Sequence, residues 1–139
     1  MTTECQERPC LFVTAAIICK DRRVLLCQRP VGKDCELLWE FPGGKIEPGE
    51  RPEDCVIREC REELNVTLKV LRKYAEVEYT YPDRTVILVF FVCEIMDGKL
   101  ECREHAALAW ATLEELSEYT FCPADEKMLR ERGMEAAFL

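Results

Sequence analysis

Hydrophobic positions along the chain switch between two periods, and the switches mark its elements. Residues 11–19 (LFVTAAIIC) form an apolar, strand-like run. Residues 20–23 (KDRR) read as a polar turn and residues 24–28 (VLLCQ) as a second strand, so the three predict a hairpin. Pro30, Gly32, Lys33 and Asp34 punctuate a loop over residues 30–36. Residues 37–41 (LLWEF) are a short apolar run, closed by Pro42-Gly43-Gly44. The period then becomes helical over residues 52–65. Pro52 suits the first helical position, Glu53 and Asp54 suit the N-terminal end of the dipole, and Asn65 suits a left-handed stop. Arg51 is a poor N-cap, which assigns capping to Glu50 or to a loop contact.

Extended segments follow over residues 67–81, with Tyr74, Val77, Tyr79 and Tyr81 as β-formers. Pro82-Asp83-Arg84 predicts a turn, residues 85–94 a largely apolar strand, Asp97-Gly98 a hairpin turn, and residues 107–112 (ALAWAT) a short strand. Thr112-Leu113-Glu114-Glu115 fits a capping box opening a helix to about Tyr119. A last helix spans residues 123–132, with Gly133 as its stop. There is no internal repeat or linker. This predicts one α+β domain over residues 1–139, a mixed sheet with helices packed on it, preceded by a polar lead-in over residues 1–10.

Composition narrows the function. The chain of 139 residues carries 19 Lys plus Arg against 27 Asp plus Glu, a net charge of −8. Nucleic-acid polymers and anionic membranes reward clustered cations, so neither is expected as a partner. A small anionic substrate fits if a divalent cation bridges the two negative sets. No apolar run approaches a membrane span, and the lead-in lacks the apolar segment of a signal peptide, which predicts a cytoplasmic protein. None of the ten cysteines forms C-x-x-C, so they read as free thiols packed as small hydrophobes. This argues against a cysteine-based metal or redox protein.

On a helical wheel, Val56, Ile57, Cys60 and Leu64 share one arc of about 100°, a core face. Glu59, Glu62 and Glu63 share a second arc that adjoins it. Carboxylates at these spacings repel, and a solvated acidic face is the plain reading. The arc borders the core, however, and follows the glycine-bearing stretch Gly43-Gly44, Gly49 and Glu50. Oxygen ligands in that setting suit Mg²⁺, and Mg²⁺ suits phosphates.

Gly44, Glu50, Arg58-Glu59, Glu62-Glu63 and Val66 resemble the Nudix box, G-x5-E-x7-R-E-U-x-E-E-x-G-U with U apolar. Cys60 stands at an aliphatic position and Asn65 at the last glycine. The resemblance extends over about residues 11–132. Leu38-Trp39-Glu40-Phe41-Pro42-Gly43-Gly44-Lys45 looks like the lead-in of the MutT subgroup, Tyr81-Pro82-Asp83-Arg84 like its nucleotide-contact loop, and Phe121-Cys122-Pro123-Ala124-Asp125 like its base-recognition segment. The implied fold is the Nudix αβα sandwich around a mixed sheet. The implied reaction is Mg²⁺-dependent hydrolysis of a nucleoside triphosphate to monophosphate and pyrophosphate, with Mn²⁺ as a substitute ion.

By that resemblance Glu59, Glu62, Glu63, Glu104 and the Gly43 carbonyl hold the metal, and Arg58 orients the glutamates. Arg29, Phe41, Gly43, Gly44, Lys45, Tyr81, Arg84 and Asp125 bind substrate, with Asp125 reading the base. The favoured substrate is an oxidised purine nucleotide such as 8-oxo-dGTP, in nucleotide-pool sanitising. The alternatives are a preference for CTP or 5-methyl-dCTP, because related cytidine triphosphate pyrophosphohydrolases share the Leu-Trp-Glu-Phe lead-in and a Glu-His pair like Glu104-His105, or a non-catalytic nucleotide-sensing domain. His105, the only histidine, otherwise reads as a surface or packing residue. The chain is expected to act as a monomer or homodimer.

Overall fold

The computed structural model describes residues 9–138; most of the polar lead-in, including Cys5, and Leu139 lie outside the described residues. Seven strands and two α-helices follow in chain order: β1 Cys10–Lys20, β2 Arg23–Gln28, β3 Trp39–Glu40, β4 Gly43–Lys45, α1 Pro52–Leu64, β5 Val66–Tyr81, β6 Arg84–Gly98, β7 Ala107–Thr112 and α2 Pro123–Arg132. Short 3₁₀ turns occupy Glu114–Glu118 and Glu135–Phe138. No helix among the described residues is long and apolar enough to cross a membrane.

β1 organises the sheet. It runs parallel to β6 from Cys10↔Thr85 to Ile18↔Cys93, and β5 pairs antiparallel on the far side of β6. Along its other edge, Val13–Ala15 pair with β4, while Cys19 and Lys20 pair with β2 across the Asp21-Arg22 turn. β2 then carries β3 and β7 away as a divergent wing.

Central strands buried on both faces need continuous rather than alternating apolar sequence. Ala15 and Ile17 enter one core with Tyr74, Phe90 and Met128, the last from α2. Ala16 and Ile18 enter the other with Val56, Cys60 and Leu64 of α1. The result is the expected αβα sandwich.

The predicted hairpin, the α1 register and both helix stops are present. Asn65 is left-handed at φ 61°, and its N–H reaches the Arg61 carbonyl. Four local expectations need correction. Pro42-Gly43-Gly44 does not simply close a loop, because Gly43 and Gly44 enter β4. There a Cβ on Gly43 would collide with the Thr14 carbonyl. Asp97-Gly98 is not a hairpin turn. Both residues end β6, paired back onto Thr67 and Val66, and Gly98 at φ 99° leaves room for the Asn65 carbonyl. Glu50 does not cap α1, because its carboxylate is committed to Arg58 and the Glu47 amide. The Thr112–Glu115 capping box forms reciprocally, at 2.9 and 3.3 Å, yet opens only a five-residue 3₁₀ turn. Its end turns extended at Tyr119, whose ring packs edge-on against Trp39.

Candidate active site

The acidic arc of α1 borders its core face, so the three glutamates meet different surroundings. Glu63 is buried, Glu59 is mostly covered, and Glu62 projects to solvent. Arg58 gathers this set. Its guanidinium donates to Glu50 at 2.8 and 3.0 Å, to Glu59 at 3.0 Å, to Glu62 at 3.4 Å and to the Lys45 carbonyl at 3.3 Å. Glu59 lies against Gly44, where any Cβ would overlap its carboxyl group. A side chain at this glycine would push the Glu59 carboxyl group out of its place.

The divergence of the two wings opens a cavity of about 320 Å³ between β1, β3, β4 and the loop after β2. Gly43, Gly44, Lys45, Glu63 and Glu104 line one part. Arg29, Phe41, Tyr81, Arg84 and Asp125 also line it. Glu59 and Glu62 stand outside that lining; Arg58 ties both to the same helix face. Glu104 is carried by a loop bound to the end of α1 through Arg103 N–H to the Glu63 carbonyl and Glu101 N–H to the Leu64 carbonyl.

The electrostatics explain what this end of the cavity demands. Glu63 Oε1 is buried and has no hydrogen-bond partner. Burial, followed by the neighbouring carboxylates of Glu59, Glu104 and Glu40, pushes the Glu63 carboxyl up to about 10. A hard divalent cation would relieve both the orphaned oxygen and the repulsion, and the donors are the carboxylate oxygens such ions prefer. Glu40, Cys122 and Asp125 form a further candidate metal-coordinating group, with one donor atom each within 4.8 Å of the others.

At the other part of the cavity the lining includes Phe41, which is almost fully buried in the core. The Phe41 ring stacks on Phe121 at 5.9 Å between centroids. Asp125, in the first turn of α2, accepts the Phe41 N–H at 3.1 Å. Burial, and then the charge of Glu40, raises its carboxyl well above the ordinary range, while the Phe41 N–H favours the ionised form; protonated, the group donates as well as accepts. The Arg84 guanidinium lies 4.3 Å from the Tyr81 ring centroid and pairs with Asp83 and Asp34.

Sequence reasoning left Glu40 and His105 without a role in the site. Glu40 receives Arg29 at 3.5 Å and His105 Nε2 at 3.3 Å. A charged residue inside the apolar run LLWEF was the available signal for Glu40. His105, 7% exposed, lines the cavity rather than the surface, and nothing in its local pattern marks that.

The comparisons with known proteins agree with this geometry. The NUDIX domain family matches residues 11–131. A CTP pyrophosphohydrolase of Escherichia coli is 39% identical over 117 residues, covering 84% of this chain and 87% of that protein. An 8-oxo-dGTP diphosphatase of the same organism is 39% identical over 90 residues, covering 65% of this chain and 70% of that protein. The crystal structure of a MutT protein from Methanosarcina mazei superposes with a TM-score of 0.81 at 25% identity, covering 94% of this chain and 96% of that one. Fold, glutamate helix and sequence matches agree that this chain belongs to the Nudix family, as a hydrolase of phosphoric anhydride bonds closely related to the MutT-type pyrophosphohydrolases.

Proposed function

We propose that the protein is a Mg²⁺-dependent pyrophosphohydrolase of nucleoside triphosphates with a preference for cytidine-type bases, releasing the monophosphate and pyrophosphate. The observation that carries the reading is a single cavity lined both by Glu63, whose Oε1 is buried and unpartnered, and by the carboxyl pair Glu40 and Asp125. A cytosine edge offers an exocyclic amino donor beside ring acceptors. Glu40 supplies an acceptor, and Asp125 in its protonated form supplies a donor. The match to a CTP pyrophosphohydrolase over 84% of the chain supports the same preference. It moves the reading away from the oxidised purine expected from sequence.

Glu59, Glu62, Glu63 and Glu104, with the Gly43 carbonyl, would hold Mg²⁺, or Mn²⁺ through the same oxygens. When bound, the ion neutralises phosphate charge and acidifies the attacking water. Arg58 fixes the Glu59 carboxylate. Lys45 adds positive charge beside the glycines for the phosphates. Arg29 is engaged by Glu40 and the Asp34 carbonyl, so it shapes the base end instead. Phe41, packed against Phe121 and Phe90, backs the base pocket, while Tyr81 and Arg84 close its side.

The test is pyrophosphate release with Mg²⁺ across the common dNTPs and NTPs, 5-methyl-dCTP and 8-oxo-dGTP. A dominant kcat/KM for cytidine nucleotides is expected. A dominant 8-oxo-dGTP rate would restore the purine reading, which Asp125 and the match to an 8-oxo-dGTP diphosphatase also accommodate. Binding without turnover would identify a sensing domain.

A further inference from the structure

His105 stands between the two ends of the cavity. Its Nε2 lies 3.3 Å from Glu40 Oε2 at the base end and 4.0 Å from Glu63 Oε1 at the glutamate end. Its Nδ1 is buried and has no partner, so the ring is tethered through Nε2 alone. The backbone around it is held: Arg103 N–H reaches the Glu63 carbonyl, Ala106 N–H reaches the Gln28 carbonyl, and Cys102 Sγ reaches the His105 carbonyl at 3.1 Å. What remains free to shift is the side chain. One N–H serves one carboxylate at a time, and Glu63 Oε1 is the buried acceptor left without a donor.

We propose that His105 is a positioning residue that couples base recognition to the catalytic glutamates by transferring its Nε2–H from Glu40 to Glu63. The inference rests on the nucleotide reading above. A base that donates to Glu40 replaces the imidazole there. A shift of less than about an ångström then brings Nε2 within hydrogen-bond range of Glu63. That bond leaves a second lone pair of Oε1 for a cation and fixes the orientation of the Glu63 carboxyl group. The device makes the correct base raise the rate of the chemical step as well as the occupancy of the site. Induced organisation of this kind lets binding energy appear in kcat.

The chain has one histidine, so its imidazole nitrogen and proton signals are assigned without ambiguity. Metal-free protein is titrated with cytidine monophosphate and, separately, with ribose phosphate, while backbone amide signals report binding. The Nε2–H signal is expected to shift with the cytidine nucleotide and to stay in place with ribose phosphate. In Glu63→Gln the bound-state shift is altered, because the receiving acceptor has changed. An imidazole signal that ignores a nucleotide seen to bind overturns the proposal. Silent backbone signals overturn the nucleotide reading, and this inference falls with it.

Kinetics give the second arm. Wild type is expected to turn over CTP with a higher kcat than ribose triphosphate. In His105→Phe that kcat ratio falls about 10-fold or more, the size of one hydrogen bond to a charged group. His105→Gln, which keeps an N–H at similar reach, recovers part of it. An equal loss on both substrates, unrelieved by glutamine, would show a merely structural residue.

Discussion

Arg58 grips Glu50 through two parallel hydrogen bonds, Nε to Oε2 at 2.8 Å and Nη2 to Oε1 at 3.0 Å, while its Nη1 holds Glu59 at 3.0 Å. The planar fork satisfies three oxygens at once, and an ammonium cannot reproduce it. Arg58→Lys should therefore keep the charge and lose the orientation of Glu59. The expected result is a folded enzyme with kcat/KM reduced about 10–100-fold, the usual cost of losing a group that orients a metal ligand. Circular dichroism and steady-state assays check it, and wild-type activity would remove Arg58 from its orienting role.

The same pair gives an acid-side signature. Arg58 and the Glu47 amide hold the Glu50 carboxyl down to about 2, below its ordinary 4.5. A lowered folded value means that the contribution is complete above the ordinary range and is lost as pH falls from about 4.5 toward 2. Urea midpoints of wild type and Glu50→Gln should converge through that window and separate above it. Parallel curves would show that the pair adds nothing to stability.

Asp125 combines a structural bond with the base-reading position proposed for it, and two substitutions separate them. Asp125→Asn keeps an acceptor for the buried Phe41 N–H and should fold normally with an altered ratio of kcat/KM values among bases. Asp125→Ala leaves that amide unpaired, at a cost of about 1–3 kcal/mol, and should also change base preference more than Mg²⁺ dependence. Thermal melts and the nucleotide panel are the measurements. A uniform loss over all nucleotides in both variants would make the residue purely structural.

Local pattern exposed what local physics decides. The α1 wheel already separated Val56, Cys60 and Leu64 from Glu59, Glu62 and Glu63, because a helix states its faces in every turn. Asn65 was legible as a stop, because few side chains tolerate its backbone geometry. β4 was not legible, since Gly43-Gly44-Lys45 has no strand propensity and exists by pairing with Val13–Ala15. Asp97-Gly98 resembled a turn because the residues that reject a side chain there, Asn65 and Val66, lie more than thirty positions away. Glu40 and His105 meet only after β2 swings from β1 to β7, so their pairing is a property of the tertiary fold.

The cysteines divide by burial. Cys27 and Cys60 are fully buried, and desolvation holds both thiols well above their ordinary range. Cys10 and Cys102 are exposed, and the partly exposed Cys35 lines the cavity. Iodoacetamide on native protein, followed by peptide mass spectrometry, should label Cys10, Cys35 and Cys102. Cys27 and Cys60 should react only after denaturation. A saturating nucleotide should slow labelling of Cys35 alone among those three. Native labelling of Cys60 would instead expose the helix beneath Glu59 and Glu63 to oxidants.

Glu63 is the most demanding of the glutamates, because its Oε1 is buried without a partner and faces the charge of Glu59 and Glu104. Glutamine has nearly the same shape and, like the carboxyl group that burial holds protonated up to about 10, carries no charge in the metal-free protein, so Glu63→Gln preserves packing. Metal-free Glu63→Gln should therefore melt no lower than wild type. The charge is what a divalent ion would require, so the Mg²⁺-induced rise in Tm should shrink and turnover should fall about 10²–10³-fold, as when one preorganised electrostatic group is lost. Melting with and without Mg²⁺, alongside pyrophosphate release, separates the two effects. Near-normal turnover in the folded variant would take the metal away from Glu63, whereas unfolding of the metal-free variant would show that the carboxylate is structural.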